Sequence, residues 1–136
     1  MYKRDVALII LYDEGKKVLI QFRDSKAKIL PLYWGIFGGA IENGETPEQA
    51  VKREAFEELN YNLKNPKLIL TQEFKETDHH GTKYVYAEKC IDKDVLRLQE
   101  GQDWGWFKLS EIKDLKMADH DKQLFEQIKD KIQGAK

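Results

Sequence analysis

Residues 39–61 read GAIENGETPEQAVKREAFEELNY, a glycine-rich turn followed by a strongly acidic segment. Thr46 can serve as a helix N-cap, and Pro47 suits the first helical position, where its missing N–H costs nothing. Gln49 completes a capping box with Thr46. Asn60 tolerates the left-handed conformation that is common just after a helix C-terminus. The stretch therefore predicts a helix from Pro47 to the residue before Asn60.

Three carboxylates lie on one side of this predicted helix. At about 100° per residue, Glu57 lies near −60° and Glu58 near +40° when Glu54 is set at zero. Like charges at a spacing of four residues are destabilising by about 0.2–0.5 kcal/mol, and a bound cation reverses that effect. Isolated glutamates are usually solvated surface residues, but this cluster predicts a site for a divalent metal.

A separate apolar stripe of the helix is predicted to pack on a sheet, about 60° to 200° around the axis. We expect the acidic face to be distinct from this core face. Ala50 lies among the carboxylates and leaves room for the Gly38–Gly39 backbone to approach them. The predicted core residues of the helix are Val51, Ala55, Phe56 and Leu59.

The joint spacing of these residues resembles the signature of the Nudix hydrolase superfamily. That spacing is Gly39, five residues, Glu45, seven residues, Arg53-Glu54, two residues, then Glu57-Glu58. Asn60 stands where the signature has glycine, and Tyr61 where it has an aliphatic residue, but neither change touches the carboxylates. The runs Gly44–Val51 and Glu100–Gln102 are also similar to the MutT-like branch of the superfamily.

The resemblance implies an enzyme: a MutT-like hydrolase that uses water and Mg²⁺, or Mn²⁺ as a substitute, to cleave a phosphoanhydride in a nucleoside di- or triphosphate derivative. It leaves open whether Glu54 or Glu100 is the general base. The arginine and glutamate of the signature imply an ion pair that holds the loop to the helix. The implied catalytic residues are Glu54, Glu57, Glu58 and Glu100; the same four with the Gly38 carbonyl are the implied metal ligands; Gly39, Glu45 and Arg53 are the implied structural residues of the site.

Residues outside the signature are the candidates for substrate binding. By resemblance Arg23 contacts the nucleotide and Asp119 reads the base, although a surface arginine and a helix cap are the plainer interpretations. Tyr33 and Trp34 could stack on a base or pack in the core. His120 lies in a late loop where some relatives place a ligand-contacting histidine.

Two other functions remain open at this point. The substrate could be an NDP-sugar or ADP-ribose instead of a nucleoside triphosphate. The chain could also be a regulatory module that binds a nucleotide without turnover, although the complete set of signature carboxylates argues against this.

Composition restricts the cellular setting. The chain has 136 residues, 41% hydrophobic and 35% charged, with a net charge of −1, so we expect one domain over residues 1–136 and no binding to duplex nucleic acid. Cys90 is the single cysteine, which favours a reducing cytoplasm. The apolar run 6–12 is too short to span a membrane. Many Nudix hydrolases form homodimers, but nothing in the sequence marks an interface.

Hydrophobic periodicity predicts an α/β fold. A hairpin of two strands comes first, two later strands flank a turn at residues 78–81 that contains His79 and His80, and an amphipathic helix closes the chain. Ser110 is a candidate cap of a short helical turn. The expected architecture is a three-layer α/β/α sandwich with a mixed central sheet. The predicted strands are 5–12, 17–23, 68–74, 83–90 and 104–107, and the closing helix is 121–133.

Overall fold

The computed structural model describes residues 2–23, 26–27, 32–98 and 103–135. Strands and two α-helices make up most of this part of the chain. The strands are β1 (Tyr2–Lys3), β2 (Val6–Tyr12), β3 (Val18–Phe22), β4 (Trp34–Gly35), β5 (Phe37–Ala40), β6 (Lys67–Lys75), β7 (His79–Lys89) and β8 (Asp103–Phe107); the α-helices are α1 (Pro47–Leu59) and α2 (Asp119–Gln133); short 3₁₀ helices cover Lys93–Val95 and Leu109–Asp114.

The strands form one sheet. Its continuous path is β1-β7-β2-β3-β4, with β5 beside β2, β6 beside β7 and β8 beside β3. Strand β7 is parallel to β1 and β2, whereas β2 and β3 form the predicted antiparallel hairpin, in which Tyr12 is opposite Val18. The sheet is therefore mixed, as predicted.

Alternation along the strands gives the sheet two apolar faces. On β2, Ala7, Ile9 and Leu11 point to α1, and Ile10 and Tyr12 point to α2. Each face buries a cluster under its helix, so the three-layer α/β/α architecture is confirmed. The helical core residues are Ala50, Val51, Ala55 and Leu59 of α1 and Leu124, Phe125, Ile128 and Ile132 of α2.

Helix α1 begins and ends where its capping residues predict. Thr46 Oγ1 accepts a hydrogen bond from the Gln49 N–H at 3.1 Å, and Gln49 Oε1 accepts one from the Thr46 N–H at 2.9 Å. Asn60 takes the left-handed conformation with φ 58°, and its side-chain amide donates to the Val95 carbonyl at 3.1 Å. These local contacts fix the rotation of every side chain around the helix axis.

The face that α1 turns to the sheet differs from the prediction. Phe56 was expected in the core but is 51% exposed, whereas Ala50 is fully buried. Around the helix, Ala50 and Val51 lie on either side of Glu54 and Glu58, which therefore point towards the sheet. The expectation of separate acidic and core faces was wrong, because the glycines of β5 leave space for carboxylates where a sheet would normally present side chains.

His79 and His80 do not lie in a turn. They begin β7 and pair with β1, a strand that the sequence analysis did not predict. The His79 ring stacks on Tyr2 at 5.3 Å and meets Phe74 edge-on at 5.7 Å. The His79 side chain is therefore only 18% exposed, whereas His80 is exposed.

The end of the chain departs from the prediction in two details. Helix α2 begins at Asp119, two residues before the predicted start, and Ala118 is its N-cap without a side-chain hydrogen bond. Ser110 lies inside the 3₁₀ helix, which Lys108 precedes, so it is not the cap. No helix in the described part of the chain combines the length and the apolar character needed to cross a membrane.

The cap of α1 gives the first testable prediction. Asn60→Ala should lower the free energy of unfolding by about 1 kcal/mol, because alanine disfavours the left-handed conformation. Urea unfolding measures this change. Asn60→Gly is the matched control, since it accepts φ 58° and loses only the bond to Val95. A larger loss for glycine than for alanine would contradict the explanation.

Candidate active site

The candidate site is built where α1 crosses β5. Gly38 has φ 141°, and a Cβ there would lie 2.2 Å from the Ala7 carbonyl oxygen. A Cβ on Gly39 would lie 2.6 Å from Glu54 Oε1. Neither position has room for a side chain, so the Glu54 carboxylate packs directly on the backbone of β5.

Glu58 is the carboxyl group of the site whose pKa is shifted most strongly. Burial, followed by the neighbouring Glu54 carboxylate, raises the pKa of Glu58 to about 8, against an opposing hydrogen bond from the Gly38 backbone. Glu58 Oε2 is buried and has no hydrogen-bond partner within the part of the chain that the structure describes. An unsatisfied buried carboxylate oxygen beside a second carboxylate calls for a proton or a cation.

Arg53 joins the loop to the helix. Its Nε lies 2.7 Å from Glu45 Oε2, and Nη2 donates to Glu45 Oε1 at 3.0 Å and to the Ala40 carbonyl at 3.1 Å. Nη1 lies 3.0 Å from Glu54 Oε1 and 3.3 Å from Glu57 Oε2. The hydrogen bond to Arg53 lowers the pKa of Glu45, and the ion pair implied by the signature is present.

The four candidate carboxylates are not all brought together. Glu54 and Glu58 adjoin each other, whereas the Glu57 side chain is 57% exposed and turns to Arg53. Glu100 lies outside the described residues. Within residues 2–23, 26–27, 32–98 and 103–135, no group of three histidines, cysteines or acids is arranged to hold a metal ion.

The residues present nevertheless fit a hard divalent cation. Glu54 and Glu58 supply carboxylate oxygens beside the Gly38–Gly39 backbone, and Glu58 Oε2 lacks a partner in the described structure. Mg²⁺ prefers oxygen ligands and usually completes its coordination with water and substrate phosphate. Two protein carboxylates are therefore a sufficient anchor for such an ion.

A cavity of about 560 Å³ opens on the opposite face of the sheet. It begins at Gly38 and Gly39 and extends along β2 and β7 beneath the N-terminal end of α2. Of the predicted substrate-binding residues, Arg23 and His120 line it. The other lining residues are Arg4, Val6, Leu8, Ile36, Phe74, Glu76, Thr77, Asp78, His79, Lys83 and Asp121.

Arg23 enters this cavity beside the backbone of β4. A Cβ on Gly35 would lie 2.2 Å from Arg23 Nη1, so glycine is needed for the guanidinium to lie there. Nη1 is buried and has no hydrogen-bond partner among the residues described. A donor in this state is suited to an acceptor supplied by a ligand.

Tyr33, Trp34 and Asp119 are not among the residues that line the cavity. The Trp34 ring packs against Phe22 at 5.0 Å and Phe107 at 4.9 Å. The Tyr33 ring lies under Lys116 Nζ at 4.7 Å. Asp119 is exposed in the first turn of α2.

Asp121 and Lys83 are charged residues of the cavity that the sequence did not identify as site residues. Asp121 is the more buried of the two. It is 7% exposed, and burial raises its pKa, against the opposing effect of the charges of His120, Lys83 and Arg23. An acid near a helix start is ordinarily a surface residue that interacts with the helix dipole. Only the position of α2 over the cavity distinguishes Asp121 from its exposed neighbour Asp119.

Comparison with known proteins agrees with this geometry. The model of the NUDIX domain family matches residues 1–128. The chain belongs to the Nudix family. The prediction of a MutT-like Nudix hydrolase, an enzyme acting on phosphoanhydrides, is confirmed.

Individual relatives are distant. Nucleoside triphosphatase NudI of Escherichia coli O81 (strain ED1a) is 25% identical over 123 residues, which cover 82% of this chain and 86% of the relative. RNA pyrophosphohydrolase of Vibrio atlanticus (strain LGP32) is 33% identical over 76 residues, 56% of this chain but only 41% of that protein. The crystal structure of a MutT protein from Methanosarcina mazei Go1 superposes with a TM-score of 0.83 at 17% identity, covering 98% of this chain and 96% of that one, and shows the shared fold.

The buried Glu58 predicts a distinctive pH dependence of stability without metal. The folded protein keeps a proton on Glu58 up to a pKa of about 8, whereas the ordinary value is 4.5, so stability should fall as pH rises between these values. The loss is on the order of a few kcal/mol, and urea unfolding in a chelator measures it. Glu58→Gln should flatten the profile in this interval.

The pH experiment includes a control variant and the addition of Mg²⁺. Glu48→Gln is the matched control, because Glu48 is exposed on the same helix and pairs with Lys52 at 3.4 Å. Adding Mg²⁺ at pH 8 should raise the free energy of unfolding of the unmodified protein but not that of Glu58→Gln. Parallel pH profiles for both variants would exclude Glu58 as the titrating group.

Proposed function

We propose that this protein is a Mg²⁺-dependent pyrophosphohydrolase of nucleoside triphosphates or related nucleoside diphosphate derivatives. The single observation that carries the proposal is the buried, unsatisfied Glu58 oxygen beside Glu54, set against two glycines at one end of a cavity of nucleotide size. The carboxylates would hold the metal, and the cavity would hold the nucleoside.

The metal, when bound, would neutralise the pyrophosphate, lower the pKa of a coordinated water and orient that water for attack on phosphorus. Glu54 and Glu58 would anchor it from α1. Gly38 and Gly39 let the backbone of β5 lie against these carboxylates, because no side chain intervenes. Arg53 fixes the Glu54 rotamer through the 3.0 Å contact and so acts as a positioning residue.

Proton transfer and the remaining ligands are assigned by the family resemblance. Either Glu54 or Glu100 would accept the proton of the attacking water as the new P–O bond forms and the anhydride P–O bond breaks. Glu57 would join the metal ligands by turning from Arg53, which still retains Glu45 and Glu54 as partners. Arg23 would bind a phosphate or the base.

A substrate panel tests the proposal. Purified protein with Mg²⁺ should release pyrophosphate, phosphate or a nucleoside monophosphate from nucleoside triphosphates, and chelation should stop the reaction. NDP-sugars, ADP-ribose and dinucleoside polyphosphates belong in the same panel as the competing substrate classes. Tight nucleotide binding in calorimetry with no turnover of any compound would favour the regulatory module instead.

Removing the charge of either carboxylate should slow turnover. Glu54→Gln and Glu58→Gln should each lower kcat by about 100-fold or more, since even partners outside the first coordination sphere of a metal cost 10- to 100-fold. Glu48→Gln should leave kcat within about twofold, because its exposed carboxylate contributes little beyond its surface pair with Lys52. Unchanged circular dichroism excludes misfolding. Full activity of Glu58→Gln would remove that residue from the site.

A further inference from the structure

The cavity proposed to hold the nucleoside is lined by a set of charged groups whose hydrogen-bonding pattern can select the base. Asp121 is buried in its wall, and the charges of His120, Lys83 and Arg23 all act on its carboxylate. Lys83 and Arg23 only donate hydrogen bonds, and a carboxylate accepts them. The wall therefore presents an acceptor accompanied by two cationic donors.

These groups lie in the wall of one cavity. Arg23 Nη1 is buried without a hydrogen-bond partner in the described structure. Lys83 Nζ lies 5.6 Å from the centre of the Phe74 ring, within the cavity. One carboxylate oxygen of Asp121, Oδ1, lies 3.5 Å from His120 Nε2. Phe74 adds an aromatic ring to the same wall, beside Lys83.

The position of this set suits the base of a bound nucleotide. Leu8 of β2 is level with Gly38 of β5, and Val6 is level with Lys83 of β7. Lys83 thus lies two strands across and two residues along from Gly38, a separation of about 12 Å between backbones. A diphosphate bound at the glycines through a metal ion on the α1 carboxylates would direct its nucleoside towards Lys83 and Asp121.

We propose that Lys83, Asp121 and Arg23 together read an imide edge, in which an N–H lies between two carbonyl groups. Lys83 and Arg23 would donate to the two carbonyl oxygens, and Asp121 would accept from the central N–H. Uracil, thymine and xanthine present this edge. Cytosine and guanine each replace one of its carbonyls by an amino group, which would face a cationic donor and leave it unpaired.

This inference rests on the proposed function and narrows its substrate to nucleotides with an imide base. The test compares imide and amino bases in two pairs: xanthosine triphosphate with GTP, which differ at one carbonyl, and UTP with CTP, in which cytosine also lacks the hydrogen on the central nitrogen. We expect kcat/KM to favour the imide member of a pair by about tenfold or more. The preferred pair shows whether the cavity takes a pyrimidine or a purine.

Two variants locate the discrimination. Lys83→Met keeps the length of the side chain and should reduce the imide:amino ratio of kcat/KM within the preferred pair by about 10-fold. Asp121→Asn is nearly isosteric and adds a donor, so it should bring the ratio close to one. Lys67→Met, on the exposed part of β6, is the matched control and should leave the ratio unchanged.

The outcomes separate this inference from the proposed function. Equal kcat/KM within both pairs, or a ratio that Lys83→Met does not change, would overturn the imide assignment while leaving hydrolysis established. Absence of turnover on every nucleotide would refute the proposed function instead. In that case calorimetry decides the imide assignment: tighter binding of UDP than CDP, or of xanthosine diphosphate than GDP, supports it, and equal affinities within both pairs overturn it.

Discussion

The contact between the acidic side of α1 and the side-chain-free backbone of β5 determines most of this structure. A helix that packs on a sheet normally presents apolar residues, yet Glu54 and Glu58 point towards the sheet between the buried Ala50 and Val51. The glycines of β5 make this arrangement possible, because any side chain there would collide with the Glu54 carboxylate or with β2. This arrangement lowers the stability of the fold locally, because Glu58 Oε2 is buried without a hydrogen-bond partner in the described structure.

Arg53 limits this cost on one side of the cluster only. Its guanidinium contacts Glu45, Glu54 and Glu57, so part of the negative charge is neutralised by the protein itself. Among the contacts that the structure describes, the guanidinium does not reach Glu58. The division between Glu54, which has a cationic partner, and Glu58, which is left to a proton or metal, follows from their positions on the helix. Glu58 lies one turn further along, under the sheet.

The sequence could predict the features of this site that depend on near neighbours along the chain. The ends of α1 were confirmed because Thr46, Gln49 and Asn60 act within one turn of the backbone. The predictions for Phe56 and His79 were wrong for a different reason. Their exposure depends on where β5 and β1 lie, and strands of two to four residues leave almost no periodic signal. Asp121 was missed because its burial depends on the docking of an entire helix.

The two faces of the sheet explain why the signature alone does not specify a substrate. The carboxylates belong to the α1 face, whereas the cavity lies on the α2 face, and Gly38 and Gly39 border both. A substrate must therefore place its anhydride at the glycines and the rest of its structure against residues of β2, β7 and α2. In the described structure, no hydrogen bond or ion pair joins Lys83 or Asp121 to Glu54, Glu58 or Arg53. Burying the Asp121 carboxylate has a cost that packing alone does not repay. Charged groups of the cavity are therefore a source of ligand specificity that the signature does not contain.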